Sequence, residues 1–501
     1  MDNKYLVRII RSEVRNIKNI KYGEIKYMNY GPVEKNAEIE KSDIVGIYGQ
    51  NGSGKTAMVE VMDILKHVIA SQEIPYDEYG GLLCNEDETS IVTYFFVCIA
   101  EEKYKVRYEV RLQADNEENR INLVFEKLTY WTRGSAWRGE RDLIFYNPYY
   151  DPDKILESKY PEFESKHISF FKEIGFIKAV RNLAVYCAQN HRSIFFNKIV
   201  MKDLSEDAAY LGKEAEALFN VIKGIFQFAR VNFQVVKVNQ LGEISRNSII
   251  PVNVHEETET SIMQGCFPLF MNGEGEIAKE DYDVYLQAIG AINIALRAII
   301  PNLQIELEVK SEIEHKDGLK YVQAEVYSNR NGKRFLTKYE SEGIKRIISL
   351  LNYLISLYNS PEVCLVVDEL DSGIFEYLLG ELLGVLQNGA KGQLIFTSHN
   401  LRALEKMDPQ NIICSTTNPE NRYIRMSGIE KNHNRRDFYI RAVVLGGQKE
   451  ELYDASELLD IEYAFRKAAC KGKSNVQLHF SESFQKKLKS KINIDDLGKK
   501  E

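Results

Sequence analysis

The stretch "IVGIYGQNGSGKTAMVEVMDIL", residues 44–65, decides the fold of this chain. An apolar run at 44–48 predicts a buried strand, and a helical pattern over 54–68 follows a glycine-rich turn. The turn fits G-x-x-x-x-G-K-[ST] in full and lies between a strand and a helix, the context that a phosphate-binding loop requires. This loop comprises Gly49, Gln50, Asn51, Gly52, Ser53, Gly54, Lys55 and Thr56.

The loop predicts a site for ATP or GTP with Mg²⁺. Its glycines let backbone N–H groups turn inward around phosphates, at a helix N-terminus whose dipole favours anions. We expect Lys55 to reach the β- and γ-phosphates and the Thr56 hydroxyl to ligate Mg²⁺. Binding follows from the loop, whereas hydrolysis needs further residues.

A second motif, "VCLVVDEL" at 363–370, supplies the acids that such a site needs. Its apolar run predicts a strand buried on both faces, which carries Asp368 and Glu369 to its C-terminal tip. Open α/β sheets bind ligands at that edge. We therefore expect Asp368 to hold Mg²⁺ and Glu369 to orient or deprotonate the attacking water.

Two more motifs flank these acids. "LIFTSHN" places His399 at the tip of the next apolar strand, where its imidazole is expected to sense the γ-phosphate. In "YESEGIKRIISLLNYLISLY", Ser341 and Gly343 precede an apolar helix and form either an ordinary N-cap or a second anion site. Two such sites fit one nucleotide when two subunits pair head to tail, each offering Ser341 and Gly343 to the partner's loop.

The whole chain reads as an ordinary protein of the cytoplasm. Its 501 residues carry a formal net charge of -8, so nucleic-acid contact would need a local basic patch. The seven cysteines are scattered without a C-x-x-C pair, which predicts reduced thiols rather than disulfides or a zinc site. The first residues lack the apolar core of a secretory signal, and no apolar run approaches the ~20 residues that cross a bilayer.

Changes in pattern divide the chain into four parts, and the fold class is α/β. Alternating runs predict a β-rich, antiparallel lobe within 1–140, together with the phosphate loop. Helical spacing predicts a mostly helical insertion over 141–295. A hairpin and then alternating helices and buried strands follow over 296–415. The remainder, 416–501, is a polar extension with a basic end, either solvated or a docking contact.

This order of motifs resembles the ABC-type ATPase heads of the SMC, RecF and OLD group. The motifs are "GQNGSGKT", a β-rich lobe, an insertion, "SEG" before a helix, "LVVDEL", "LDSG" and "TSHN". Glu342 stands where the usual signature has a glycine. The short S-x-G signature and "NRRDFYIRAVVLGGQKEELYD" at 434–454 are more similar to AAA-type ATPases of prokaryotic anti-phage systems, of the abortive-infection, PARIS-like or Septu-like kind.

The resemblance implies an ATP- and Mg²⁺-dependent ATPase, slow and regulatory, that forms a dimer or larger oligomer. It further implies a separate effector partner, such as a TOPRIM- or HNH-type nuclease, and places Asp371 and Ser372 on a loop that touches the opposite subunit. A RecF-like DNA-binding repair ATPase is the alternative. A transporter subunit is disfavoured by the insertion, and a nuclease of the OLD kind by the lack of a suitable strand pattern after 416.

Overall fold

The computed structural model describes the following residues: 5–28, 43–83, 87–99, 102–133, 137–146, 156–158, 185–197, 213–237, 249–257, 262–270, 275–315, 318–428, 434–453 and 458–471. The chain forms two units, Met1–Tyr453 and Asp454–Glu501. No helix in the described part is long and apolar enough to span a bilayer. The basic end of the chain, from 472 onward, lies outside the described residues.

The first sheet is antiparallel and has seven strands in the order β2-β1-β4-β5-β6-β7-β8. Along most of β5 buried and partly exposed residues alternate, because successive side chains point to opposite faces of a strand. β4 and β6 also contain runs of consecutive buried residues, such as Ile91 to Thr93. The sheet is the antiparallel lobe that the sequence predicts, but it extends to Ser158, beyond the predicted boundary at 140. Its strands are β1 (Tyr5–Ile17), β2 (Ile20–Lys26), β4 (Thr89–Ile99), β5 (Glu102–Asp115), β6 (Arg120–Arg133), β7 (Trp137–Tyr146) and β8 (Leu156–Ser158).

The second sheet has six strands in the order β19-β18-β3-β17-β16-β9 and carries the motifs. Its neighbours pair in parallel except β19, which is antiparallel to β18. Both faces are buried, so its strands are continuous apolar runs. They are β3 (Asp43–Tyr48), β9 (Phe233–Val236), β16 (Cys364–Val367), β17 (Gln393–Thr397), β18 (Ile412–Ser415) and β19 (Tyr423–Arg425).

Each face of this central sheet contributes to its own apolar cluster. Val45 and Ile47 join the cluster shared with the antiparallel sheet and helix α1 (Lys55–Ile69). Ile44 and Tyr48 join the cluster on the other face. That second cluster includes residues of α4 (Tyr282–Ile299), α5 (Glu342–Asn359) and α6 (Glu376–Gly389). The strand order and this two-sided burial place the C-terminal tips of β3, β17 and β16 side by side.

The segment 141–295 differs from the helical interpretation in part. Two long helices, α3 (Lys213–Gln227) and α4, agree with it, and a π-helical turn at Phe228–Asn232 extends α3. The segment also contains β9, which pairs with β16 in the central sheet, and the hairpin β10 (Ile249–Glu257) and β11 (Ile262–Phe270). A four-residue strand such as β9 is too short to show a period, so helical spacing around it dominated the prediction.

The remaining elements of the first unit are another antiparallel sheet and three short helices. The predicted hairpin is confirmed as β13 (Leu303–Glu314) and β14 (Lys320–Arg330). Two short strands, β12 (Gly275–Ala278) and β15 (Lys333–Leu336), also pair with β14. Three shorter helices are α2 (Tyr76–Tyr79), α7 (Leu401–Lys406) and α8 (Arg435–Leu445). The extension predicted to start at 416 instead continues the central sheet through β19, and only Asp454–Glu501 forms a separate unit, with α9 (Leu458–Lys471).

Candidate nucleotide site

The phosphate loop leaves β3 and enters α1 as predicted. Gly49, Gly52 and Gly54 all have positive φ angles of 157°, 77° and 93°, a region that side chains disfavour. Gly54 is the N-cap of α1, and no side chain caps the helix start. The first N–H groups of the helix therefore remain available to an anion.

Lys55 is buried at the first position of α1 and is only 6% exposed. Its Nζ donates to the carbonyl oxygens of Gly49 at 2.9 Å and Gln50 at 2.7 Å, so the ammonium folds back across the loop. Burial lowers the pKa of Lys55 to about 8, and the carboxylates of Asp368, Glu369 and Asp371 oppose this shift. The lysine thus lies close to all three acids while its hydrogen bonds go to the loop.

Asp368 meets the loop at the tip of β16. Its Oδ1 accepts a hydrogen bond from Thr397 Oγ1 at 2.5 Å and lies 3.4 Å from Thr56 Oγ1. The Thr56 side chain is exposed, whereas Asp368 is 2% exposed. One carboxylate and one hydroxyl are hard oxygen donors, the set with which proteins hold Mg²⁺ on nucleotide phosphates. These two residues therefore fit the predicted metal.

Thr397, at the end of β17, is a residue that the sequence analysis missed. Besides its bond to Asp368, its Oγ1 accepts the backbone N–H of Glu369 at 2.7 Å, and its carbonyl accepts that of Leu370 at 3.0 Å. Thr397 thus fixes both the carboxylate of Asp368 and the backbone N–H of Glu369. Its place immediately before "SHN" at a strand tip was the available signal.

Glu369 follows Asp368 with a φ of +45°, in the left-handed region, which costs a non-glycine residue about 1–2 kcal/mol. Arg346 of α5 donates through Nη2 to the carbonyl oxygens of Asp368, at 3.2 Å, and of Glu369. Arg346 is 6% exposed, and its burial lowers its pKa to about 10. This guanidinium stabilises the strained turn after β16 and ties it to α5.

His399 lies beside the acids through its backbone. Its N–H donates to Asp371 Oδ2 at 3.2 Å. Desolvation lowers the pKa of the His399 imidazole, and the nearby Lys55 ammonium lowers it further. The imidazole is therefore neutral near pH 7 and offers one donor and one acceptor.

Asp371 and Ser372 form a turn in which the Ser372 N–H donates to the Glu369 carbonyl at 2.9 Å.

Ser341 and Gly343 are placed by contacts within the chain. Ser341 is the exposed N-cap of α5, and its Oγ accepts the N–H of Ile344 at 3.4 Å. A Cβ added to Gly343 would lie 2.1 Å from the carbonyl oxygen of Gly373. Among the described hydrogen bonds, none joins Ser341 or Gly343 to the phosphate loop. The structure brings Lys55, Thr56, Asp368, Glu369 and His399 together. The described hydrogen bonds do not connect Ser341 or Gly343 to this group.

Comparisons with known proteins give structural likenesses only. No protein-family model and no curated protein matches the chain. An SMC head bound to the C-terminal winged-helix domain of ScpA is similar, with 12% identity, a TM-score of 0.40, and coverage of 84% of this chain and 97% of that one. An Smc head from Pyrococcus furiosus bound to the C-terminal domain of ScpA has 14% identity, a TM-score of 0.38 and the same coverage. The SMC head domain of Thermotoga maritima has 12% identity, a TM-score of 0.35, and coverage of 84% and 100%.

Proposed function

We propose that this chain is a Mg²⁺-dependent ATPase. The observation that carries the proposal is the meeting of two distant motifs: the Thr56 hydroxyl at the start of α1 lies 3.4 Å from the Asp368 carboxylate at the tip of β16. An uncapped helix start, a buried lysine and a hard-oxygen pair at one edge of a parallel sheet are what a nucleoside triphosphate requires.

Binding of ATP rests on Gly49 to Thr56. The loop N–H groups receive the phosphates, and Lys55 exchanges its two carbonyl partners for phosphate oxygens. Mg²⁺ held by Thr56 and Asp368 would neutralise charge on the β- and γ-phosphates. Thr397 keeps the Asp368 carboxylate in place for that contact.

Hydrolysis rests on Glu369 and His399. The backbone of Glu369 is fixed from two sides, by Thr397 Oγ1 on its N–H and by Arg346 on its carbonyl. A carboxylate on so constrained a turn is suited to orient or deprotonate water at a defined position. The neutral His399 imidazole serves as a hydrogen-bonding contact to the γ-phosphate rather than as a fixed positive charge.

The ATPase works as a head-to-tail pair in which Ser341 of each copy completes the partner's site. Two observations support this. Ser341 is exposed at the start of α5, and none of the described hydrogen bonds joins it to the phosphate loop of its own chain. Arg346, one turn further along α5, connects the same helix to the turn that holds Glu369. Closure on the partner's nucleotide would therefore act on both sites.

The test measures phosphate release and molar mass in parallel. Lys55→Ala should abolish ATP binding. Glu369→Gln should bind ATP but lower turnover by about 100-fold or more, the usual contribution of a general base, and accumulate as a dimer or larger species with ATP and Mg²⁺. Glu381→Gln, a surface change on α6, is the matched control and should behave as wild type. Wild-type protein without ATP hydrolysis would overturn the proposal.

For the biological role we propose a regulator of a separate effector in anti-phage defence, acting from the cytoplasm. The support is the resemblance of the motif order and of 434–454 to such ATPases. Co-expression with the product of the neighbouring gene tests it. A nuclease that co-purifies and whose activity depends on Lys55 supports the proposal, whereas neighbouring replication genes and no associated effector contradict it.

A second candidate function, DNA binding, is favoured by the outer face of the antiparallel sheet. There basic side chains of β1 and β5 alternate with aromatic rings: Arg11 lies 4.1 Å from the Tyr94 ring centroid, and Lys105 lies 5.0 Å from that of Trp131. Glutamates on the same face pair with part of this charge, as Glu13 does with Arg11 at 2.7 Å. Cations beside aromatic rings on one sheet face suit phosphates and bases.

Anisotropy titrations of labelled DNA, with and without ATP, test this candidate. Lys105→Glu should weaken binding and reduce its salt dependence, since one phosphate contact is lost. Lys406→Glu, on α7, is the control of equal charge change and should leave the affinity unaltered. Equal affinities for both variants and wild type would remove the sheet face as a DNA site.

A further inference from the structure

The phosphate loop is held from outside by the hairpin of β18 and β19. Ser415, the last residue of β18, is fully buried, and its Oγ lies 2.5 Å from Ser53 Oγ and donates to the Tyr48 carbonyl at 3.1 Å. A Cβ on Gly49 would lie 1.9 Å from the same Oγ. Ser415 therefore fills the space that the first glycine of the loop leaves, and it binds the serine four residues on.

The other end of the loop is held by β19 and by the turn between β1 and β2. The buried Tyr423 donates its hydroxyl to the Gly54 carbonyl at 2.6 Å. Asn19, in the β1–β2 turn, donates through Nδ2 to the Gly52 carbonyl. These contacts bind two carbonyl oxygens of the loop to neighbouring elements and so hold the backbone whose N–H groups would receive an anion.

Arg422 joins these supports to one another. Its Nη1 donates to the Thr416 carbonyl at 2.6 Å and its Nη2 to the Asn19 carbonyl. Its Cγ and Cδ lie 3.4 Å from the position of a Cβ on Gly54. Arg422 is 4% exposed, and no carboxylate pairs with it among the described ion pairs. A buried cation without an acid beside the loop favours a negatively charged ligand there.

We propose that Ser415, Arg422 and Tyr423 are positioning residues for nucleotide phosphates, so that the β18–β19 hairpin, rather than the loop sequence alone, sets the affinity for ATP and ADP. This inference rests on the proposed nucleotide binding at Lys55. The three residues act through the loop. The Ser415 hydroxyl binds the Ser53 side chain and the carbonyl just before the loop, the Tyr423 hydroxyl binds the carbonyl of Gly54, and the Arg422 guanidinium supplies positive charge behind the loop.

The physical basis is preorganisation. A glycine-rich loop has large conformational freedom, and each residue that must be ordered on binding costs free energy. Contacts already formed in the folded chain remove that cost before the ligand arrives. The supports hold the loop, and among the described hydrogen bonds none joins Ser415, Arg422 or Tyr423 to the acids of the hydrolysis step. Their loss should therefore affect binding and spare the chemical step.

The experiment titrates full-length protein with MgATP and MgADP by calorimetry and measures KM and kcat. Tyr423→Phe removes the hydrogen bond to the Gly54 carbonyl, and Ser415→Ala removes the contacts with Ser53 and with the Tyr48 carbonyl. Each variant should raise the nucleotide Kd and KM about three- to tenfold with kcat within about twofold of wild type. Tyr108→Phe removes a buried tyrosine hydroxyl that donates to Glu126, in the antiparallel sheet, and is the matched control for stability.

The outcomes are distinct. Wild-type protein that binds no nucleotide refutes the proposed function itself. Wild-type binding with unchanged Kd in both Tyr423→Phe and Ser415→Ala refutes the hairpin's role, as does a loss confined to kcat. Hydrogen exchange of the wild type provides a measurement that needs no variant: ATP should protect the hairpin, 412–425, along with the loop. An unprotected hairpin beside a protected loop would also refute the inference.

Discussion

The two halves of the proposed site differ in what holds them. Lys55, Thr56 and Asp368 come from motifs more than three hundred residues apart, yet they lie within hydrogen-bonding networks of one chain. Ser341 and Gly343 take part in contacts of their own helix and the turn below it. The first half is assembled by folding alone. The second half has a complete structural role already and gains a chemical one only if another copy approaches.

This difference shows that one motif can be required for two reasons, the stability of the fold and the binding of a ligand. Gly343 is required in the folded monomer because a side chain there would meet the Gly373 carbonyl. The same glycine was predicted to bind phosphate through its N–H. Sequence pattern alone does not separate these two requirements, whereas measurements of stability and of activity do.

The largest expected effect comes from a change in the first half of the site, the half that contains Lys55, Thr56 and Asp368. Thr397→Val keeps the shape of the side chain but removes the hydroxyl that holds Asp368 and the Glu369 N–H. Turnover should fall about 10- to 100-fold, and the Mg²⁺ concentration for half-maximal activity should rise, as for other residues that orient a metal ligand. Thr93→Val, which removes a buried hydroxyl paired with Ser12, is the control. Equal activity of both variants would show that Thr397 positions nothing.

The next effect concerns the second half and is measured without nucleotide. Gly343→Ala places a Cβ against the backbone carbonyl of Gly373 and should lower the free energy of unfolding by about 1–3 kcal/mol. Gly384→Ala, in α6, meets no atom within 4 Å and should raise it by up to about 1 kcal/mol. Urea denaturation compares them. A Gly343→Ala variant as stable as Gly384→Ala would leave the nucleotide as the reason for this glycine.

A smaller effect arises from the charge of Lys55. Because burial lowers its pKa to about 8, free protein above pH 8 has a mostly neutral lysine and must take up a proton to bind phosphate. The Kd for MgATP should be flat below pH 7.5 and rise toward tenfold per pH unit above 8. Calorimetry in buffers of different ionisation enthalpy should detect the proton. In Lys55→Arg, which stays charged, any remaining affinity should be independent of pH over this range.

Much of the first half was accessible from the sequence. The loop, the acids and His399 lie on strand tips, and continuous apolar runs reveal buried parallel strands. The roles of Thr397 and Arg346 were not predicted, because each acts through a hydrogen bond to a group distant in sequence. β9 was missed because four residues carry no period, and the hairpin after 412 was missed because its polar residues resemble a surface extension.

The antiparallel elements and the segment 141–295 also differed in how well the sequence predicted them. The antiparallel sheet was predicted from long alternating strands, and the β13–β14 hairpin from its pattern of paired runs. The segment 141–295 gave helical spacing in α3 and α4, but its short strands depend on partners elsewhere in the chain. Local patterns predict elements that bury a face of their own, whereas pairing with distant strands is a tertiary effect.

The most direct test of the composite site mixes two inactive proteins. Lys55→Ala lacks the lysine, and Ser341→Ala lacks the serine offered to the partner. Each alone should hydrolyse ATP at background rate. In an equal mixture about half of the dimers are mixed, and each of these holds one complete site, so about one quarter of the wild-type activity should return. Lys55→Ala mixed with the Lys55→Ala/Ser341→Ala double variant is the control and should remain inactive. A Lys55→Ala and Ser341→Ala mixture no more active than its components would contradict a site shared between two copies.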